Sequence, residues 1–125
     1  MSESGQLDAA AIGRLLRLGG HAFVAKMISL FGAYGAEKLK AADEARKAGN
    51  WFGVADAVHP IKSSAGNVGA KRVQSLAQQL EDAARASGGN ELEPLLTELH
   101  IAFEAAMAEL EAIRATHQTA AAAAK

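Results

Sequence analysis

Apolar positions along this chain recur at spacings of three and four rather than two, the mark of helices with one buried face. A short first helix is predicted from Leu7 or Asp8 to Leu18, with Leu7, Ile12, Leu15, Leu16 and Leu18 on its apolar side. Asp8 is its N-cap or first-turn acid, and Gly19-Gly20 is expected to stop it. A second helix from about His21 to Ala48 carries Phe23, Met27, Leu30, Phe31, Tyr34, Leu39, Ala42 and Ala45 inward and ends at Gly49. Gly32 and Gly35 inside it point to a local bend or a close helix contact. A third helix, capped by Asn50, runs to about Val68, and a fourth spans Ala70 to Ser87 with Val73, Leu76, Leu80 and Ala83 or Ala84 inward. The last begins after Asn90, takes Pro94 in its first turn, and repeats Leu92, Leu95, Leu96, Leu99, Phe103, Ala106, Leu110 and Ile113. Past Thr116 the periodicity stops, so residues 119–125 are expected to form a flexible tail on a domain of residues 1–118. The fold class that follows is all-α: an antiparallel up-down four-helix bundle with a short additional N-terminal helix covering one end.

Composition supports that picture and removes several functions. Of 125 residues half are apolar and only 5% aromatic, which suits helices packed closely through small side chains. Cysteine is absent, so no disulfide framework, thiolate nucleophile or thiolate metal site exists. A formal net charge of −1 leaves no electrostatic footprint for nucleic acid and no polybasic patch for a membrane surface. No apolar run approaches the roughly 20 residues that span a bilayer, and Met1-Ser2-Glu3-Ser4-Gly5 has no leader pattern. A cytoplasmic, unprocessed protein is the expectation. Neither Gly-x-x-x-x-Gly-Lys-[Ser/Thr] nor Gly-x-Gly-x-x-Gly occurs, so no device for holding ATP is recognisable. His21, His100 and His117 form no His-Glu-x-x-His pair; the closest ligand spacing is His100 with Glu104, and solvated surface histidines are the simpler reading. The mixed-sign runs at Glu37–Lys40 and Asp43–Lys47 read as ordinary solvated helix surface.

One stretch does not fit plain amphipathic helix: His59-Pro60-Ile61-Lys62-Ser63-Ser64-Ala65-Gly66-Asn67-Val68-Gly69-Ala70. At about 100° per residue, His59, Lys62, Ser63 and Gly66 share one strip, while Val54, Val58, Ile61, Ala65 and Val68 gather roughly 130° away. The imidazole thus points away from the apolar side, where a ring nitrogen can attack phosphorus as a neutral nucleophile. Lys62, one turn on, can set an ammonium near the resulting phosphoryl dianion. Ala55, Ser63 and Gly66 border the ring with little bulk, leaving room for a partner's active site, and Gly69 permits the turn that follows.

The ordered set His59-x-x-Lys62-Ser63-Ser64-x-Gly66-Asn67-x-Gly69-Ala70 closely resembles the His-x-x-Lys-[Gly/Ser]-Ser-x-x-Asn-x-Gly-Ala signature of histidine-containing phosphotransfer (HPt) domains. The resemblance extends to Leu18-Gly19-Gly20, Ala48-Gly49-Asn50-Trp51 and Gln78-Gln79-Leu80-Glu81. It implies a phosphocarrier of multistep phosphorelays, in which His59 accepts a phosphoryl group from the phosphoaspartate of one receiver domain and passes it to another. It further implies a monomer with no ATP site and no cofactor of its own. The Mg²⁺ belongs to the partner, a receiver domain of a response regulator or of a hybrid histidine kinase. Lys62 would stabilise the phosphoryl group, with Ala55, Ser63, Gly66 and Gly69 supporting or docking. Pro60 departs from the family, which has a residue with an N–H there. A proline inside a helix removes the bond to the Asp56 carbonyl, so a kink at residues 56–60 is expected to tilt the His59 ring relative to Lys62. Two competing readings stand beside this one. A detached histidine-kinase dimerisation domain would need an acid next to the histidine where Pro60 stands, and a helical adaptor would use the same small-residue face without chemistry.

Overall fold

The structure is a computed structural model that describes residues 7–86 and 89–124. The opening residues that bear on a leader, and Ser87, Gly88 and Lys125, lie outside that range. Four helices follow one another: α1 (Ala9–Lys47), α2 (Trp51–Val68), α3 (Lys71–Arg85) and α4 (Gly89–Ala123). Each packs on two neighbours, α1 and α3 both lying against α2 and α4, so the core is shared by all four. Ile28 and Leu39, Val54 and Ile61, Val73 and Leu80, and Leu92, Leu99 and Leu110 meet there with almost no solvent access. Among the described residues no strand forms; Leu7 and Ala70 make one isolated antiparallel bridge.

The two expected N-terminal helices both form, and they are the two arms of α1 with a kink between them. Helical geometry breaks at Gly20, whose φ of 83° and ψ of −174° separate the two arms at the expected Gly19-Gly20 stop. Asp8 caps the first arm, accepting from the Ala10 N–H at 3.1 Å. That arm covers the turn between α2 and α3, as expected of the first helix: Asp8 N–H donates to the Gly69 carbonyl at 2.8 Å, and Ala11 and Leu15 are buried. Gly69 ends α2 in the left-handed region at φ 80°, and a Cβ there would strike the Asp8 carbonyl. It therefore serves the turn and the attachment of the first arm, and offers no surface to a partner.

Along the second arm of α1 the inward face is Val24, Ala25, Ile28, Phe31 and Gly35. Leu30 and Tyr34, expected inward, are exposed and border an open groove with Met27, Ser64 and Asn67. Small residues explain the shift. Gly35 admits the Phe103 ring and Gly32 the Met107 side chain, so α1 and α4 approach through glycine instead of leucine. Phe31 and Phe103 then stack with centroids 5.4 Å apart.

Two histidine contacts tie α1 to α4 as well. His100 Nε2 meets both Asp43 oxygens at 3.0 and 3.1 Å, and His21 Nδ1 meets His117 Nδ1 at 2.8 Å. These histidines are interhelical links, and Asp43 is one end of such a link. Burial, and then the nearness of His21, hold His117 below the usual imidazole range.

At the other end, Asn50 caps α2 as expected, accepting from the Gly53 N–H at 2.9 Å. Helix α4 starts at Gly89, so Pro94 sits in its second turn, and the helix runs on to Ala123, past the point where apolar periodicity ends. Alanine's helix propensity accounts for that extension, and no break in the helix marks residue 118. No helix of the described residues is long and apolar enough to cross a membrane.

Two glycines of the signature should separate sharply in a denaturant titration. Gly69→Ala combines a left-handed backbone with a backbone clash and should cost at least about 2 kcal/mol. Gly66→Ala meets only the movable end of Gln74 inside a helix and should change stability by less than about 1 kcal/mol.

Candidate functional site

Helix α2 buries Val54, Ala55, Ala57, Val58, Ile61, Ala65 and Val68, which leaves His59 on the opposite side with its side chain 61% exposed. The helix is unbroken through Pro60. Asp56 is exposed, so water can take up the carbonyl that proline leaves unpaired. Ser64, not Ser63, bonds back to the helix, its hydroxyl donating to the carbonyls of Pro60 at 3.3 Å and Ile61 at 3.2 Å. The His59 and Lys62 side chains both end on one carboxylate.

That carboxylate is Glu81 of α3, a residue only 5% exposed. Its Oε2 lies 2.9 Å from His59 Nδ1 and accepts from Arg85 Nε at 3.1 Å, while its Oε1 meets Lys62 Nζ at 2.6 Å. Burial by itself would raise the pKa of Glu81; the bonds from Lys62, Arg85 and His59 outweigh it and lower the value to about 2. Glu81 is consequently ionised at neutral pH, and an ionised carboxylate can only accept. His59 must then donate from Nδ1, which leaves the lone pair of the neutral ring on Nε2.

A second layer holds the carboxylate's partners. Lys62 also donates to Gln78 Oε1 at 3.1 Å, and the Gln78 amide donates to Asp82 Oδ1 at 2.9 Å. Arg85 reaches from Glu81 across to Asp56 at 3.5 Å. The Lys62 ammonium, expected beside the reacting nitrogen, is therefore engaged by Glu81 and Gln78.

The remaining residues of the expected site divide. Ser63 is exposed and Gly66 half-buried on the His59 strip, with the Gln74 side chain close to Gly66. Ala55 is wholly buried in the core and Gly69 is buried at the far end of α2, so neither lines a docking surface. Glu81, Arg85 and Gln78 were absent from the expected site. Glu81 had a readable signal: it falls within the apolar stripe Val73, Leu76, Ala77, Leu80, Ala84 of α3, where an acid has no place without a partner.

The depressed pKa of Glu81 makes a pH-dependent contribution to stability of definite sign. The ionised form is favoured by folding, so the stabilisation is complete above the ordinary carboxylate value of 4.5 and is lost as pH falls towards about 2. In urea titrations from pH 7 to pH 2, the stability gap between the wild type and Glu81→Gln should stay constant down to about pH 5 and then close.

Comparison with known proteins adds family and fold. The Hpt domain family model matches residues 26–118. No curated protein matches the chain. Among solved structures, histidine-containing phosphotransfer protein B (HptB) from Pseudomonas aeruginosa PAO1 superposes with a TM-score of 0.84 at 19% identity, covering 89% of this chain and 96% of that one. A candidate histidine-containing phosphotransfer protein from rice gives 0.81 at 18% identity, covering 95% and 88% respectively. The family match, over most of the chain and centred on the helices that carry His59 and Glu81, makes this chain a member of the Hpt domain family and a histidine phosphotransfer protein of phosphorelay signalling.

Proposed function

We propose that His59 Nε2 is the atom that carries the phosphoryl group between receiver domains. The observation behind this reading is the exposed His59 ring, bonded through Nδ1 to a buried, ionised Glu81. In the transfer the Nε2–P bond forms as the aspartyl P–O bond breaks and the receiver's aspartate leaves as carboxylate. No proton has to move, because the attacking lone pair is free and Nδ1 keeps its hydrogen. The ring becomes cationic as it bonds to phosphorus, and the Glu81 carboxylate lies next to the developing charge. The reverse step follows the same path, so the carrier serves donor and acceptor alike.

Lys62 acts first through Glu81, whose position and ionisation it secures at 2.6 Å. A phosphoryl dianion on His59 then competes with Glu81 and Gln78 for the same ammonium. Ser63 and Gly66 supply the low-bulk border over which a receiver pocket closes. Donor and acceptor are receiver domains of a hybrid histidine kinase and of response regulators. They bring the Mg²⁺, and this chain works as a cytoplasmic monomer with no metal or nucleotide of its own.

Incubation with a phosphorylated receiver domain, followed by assay of acid-labile phosphate on this chain, tests the assignment. His59→Gln should abolish the label while changing stability by no more than about 1 kcal/mol, since the ring is largely exposed and one hydrogen bond is lost. Label that survives the substitution would refute the reading. Glu81→Gln should keep the site's shape and slow transfer by roughly 10- to 100-fold, the equivalent of one charge-assisted hydrogen bond.

A further inference from the structure

Phe52 lies seven residues before His59 on α2 and is 62% exposed, although it is among the largest apolar side chains of the protein. Seven residues are two helical turns less about 20°, so the two side chains share a face with roughly 10 Å of helix axis between them. Phe52 belongs neither to the core nor to the partly buried apolar residues packed against it. Its neighbour Trp51 takes the inward place at the start of α2, lying against Gly89, and the Asn50 cap closes the turn. Of the exposed large apolar residues Leu18, Leu30, Tyr34, Phe52 and Ile101, only Phe52 belongs to the helix that carries His59. The one acidic side chain between them on that face, Asp56, is paired with Arg85.

A receiver can reach His59 Nε2 only by centring its contact on that ring. A specific contact of ordinary size covers roughly 800 Å² on each partner, a disc of about 16 Å radius, so Phe52 falls well within it. Exposed aromatic rings inside such a disc carry a large share of affinity and selectivity, because the partner either has an apolar depression to receive them or leaves them poorly packed. We infer that Phe52 is a specificity-determining residue, which favours receivers bearing an apolar depression about 10 Å from their phosphorylated aspartate. The inference rests on His59 being the phosphoryl acceptor.

The test uses the full chain and a panel of receiver domains phosphorylated with acetyl phosphate. For the receivers that transfer fastest, Phe52→Ala should raise KM tenfold or more with kcat unchanged, and the spread of kcat/KM across the panel should narrow. Labelling of His59 by phosphoramidate needs no partner: Nε2–P forms as P–N breaks and ammonia leaves. That rate should be unchanged in Phe52→Ala, as should the melting temperature. Ile101→Ala, on α4 and equally exposed at 64%, should alter none of these. An unchanged KM in Phe52→Ala across receivers that do transfer, or an equal rise in Ile101→Ala, would overturn the inference and leave the role of His59 standing. Phosphorylation of the wild type that persists in His59→Gln would overturn both.

Discussion

The Glu81 carboxylate is the interaction on which the site depends. It is a buried charge on the apolar face of α3, a position that would be strongly unfavourable without compensation. Three donors from two helices compensate it, and one of the three is the Nδ1 of His59. The same contact that makes the buried acid tolerable thus orients the imidazole and decides which nitrogen carries the lone pair. Packing and site geometry are not separable here: the helix pair α2 and α3 is joined at its polar seam by the group that orients the His59 ring.

Helix α2 continues through Pro60. A proline next to His59 removes one backbone bond on a face where water can replace it, while the orientation of His59 is set by a side-chain bond to another helix. Lys62 is governed by the same carboxylate. Seen along α2 alone it is a free cation one turn from the ring; seen with α3 it is engaged, and phosphoryl binding has to draw it away from an existing partner. Such a site has its charges balanced before phosphate arrives: Glu81 and Asp56 face Lys62 and Arg85.

Helices were legible from apolar spacing because their periodicity is local, and α2 and α3 came within a residue or two of their expected limits. The errors occur where small residues do the packing. Glycine and alanine carry little weight in an apolar pattern, yet Gly35 and Ala25 lie on the buried face of α1 while Leu30 and Tyr34 stand outside it. Ala55 misled for the converse reason: its small size suggested a clear approach to His59, and it is small because it is packed in the core. At Gly19-Gly20 the expected interruption is present, because glycine takes the positive φ that breaks the helix at Gly20.

By itself the sequence determined the all-α fold and the family and singled out His59 as the candidate residue, because those rest on periodicity and on an ordered motif within one helix. The tertiary structure decided everything that needs a second helix. Glu81 lies 22 residues from His59, and no spacing rule connects positions on separate helices until the core sets their register. That register assigns the donor nitrogen of His59, engages Lys62, withdraws Ala55 and Gly69 from the surface and leaves Phe52 uncovered beside the site.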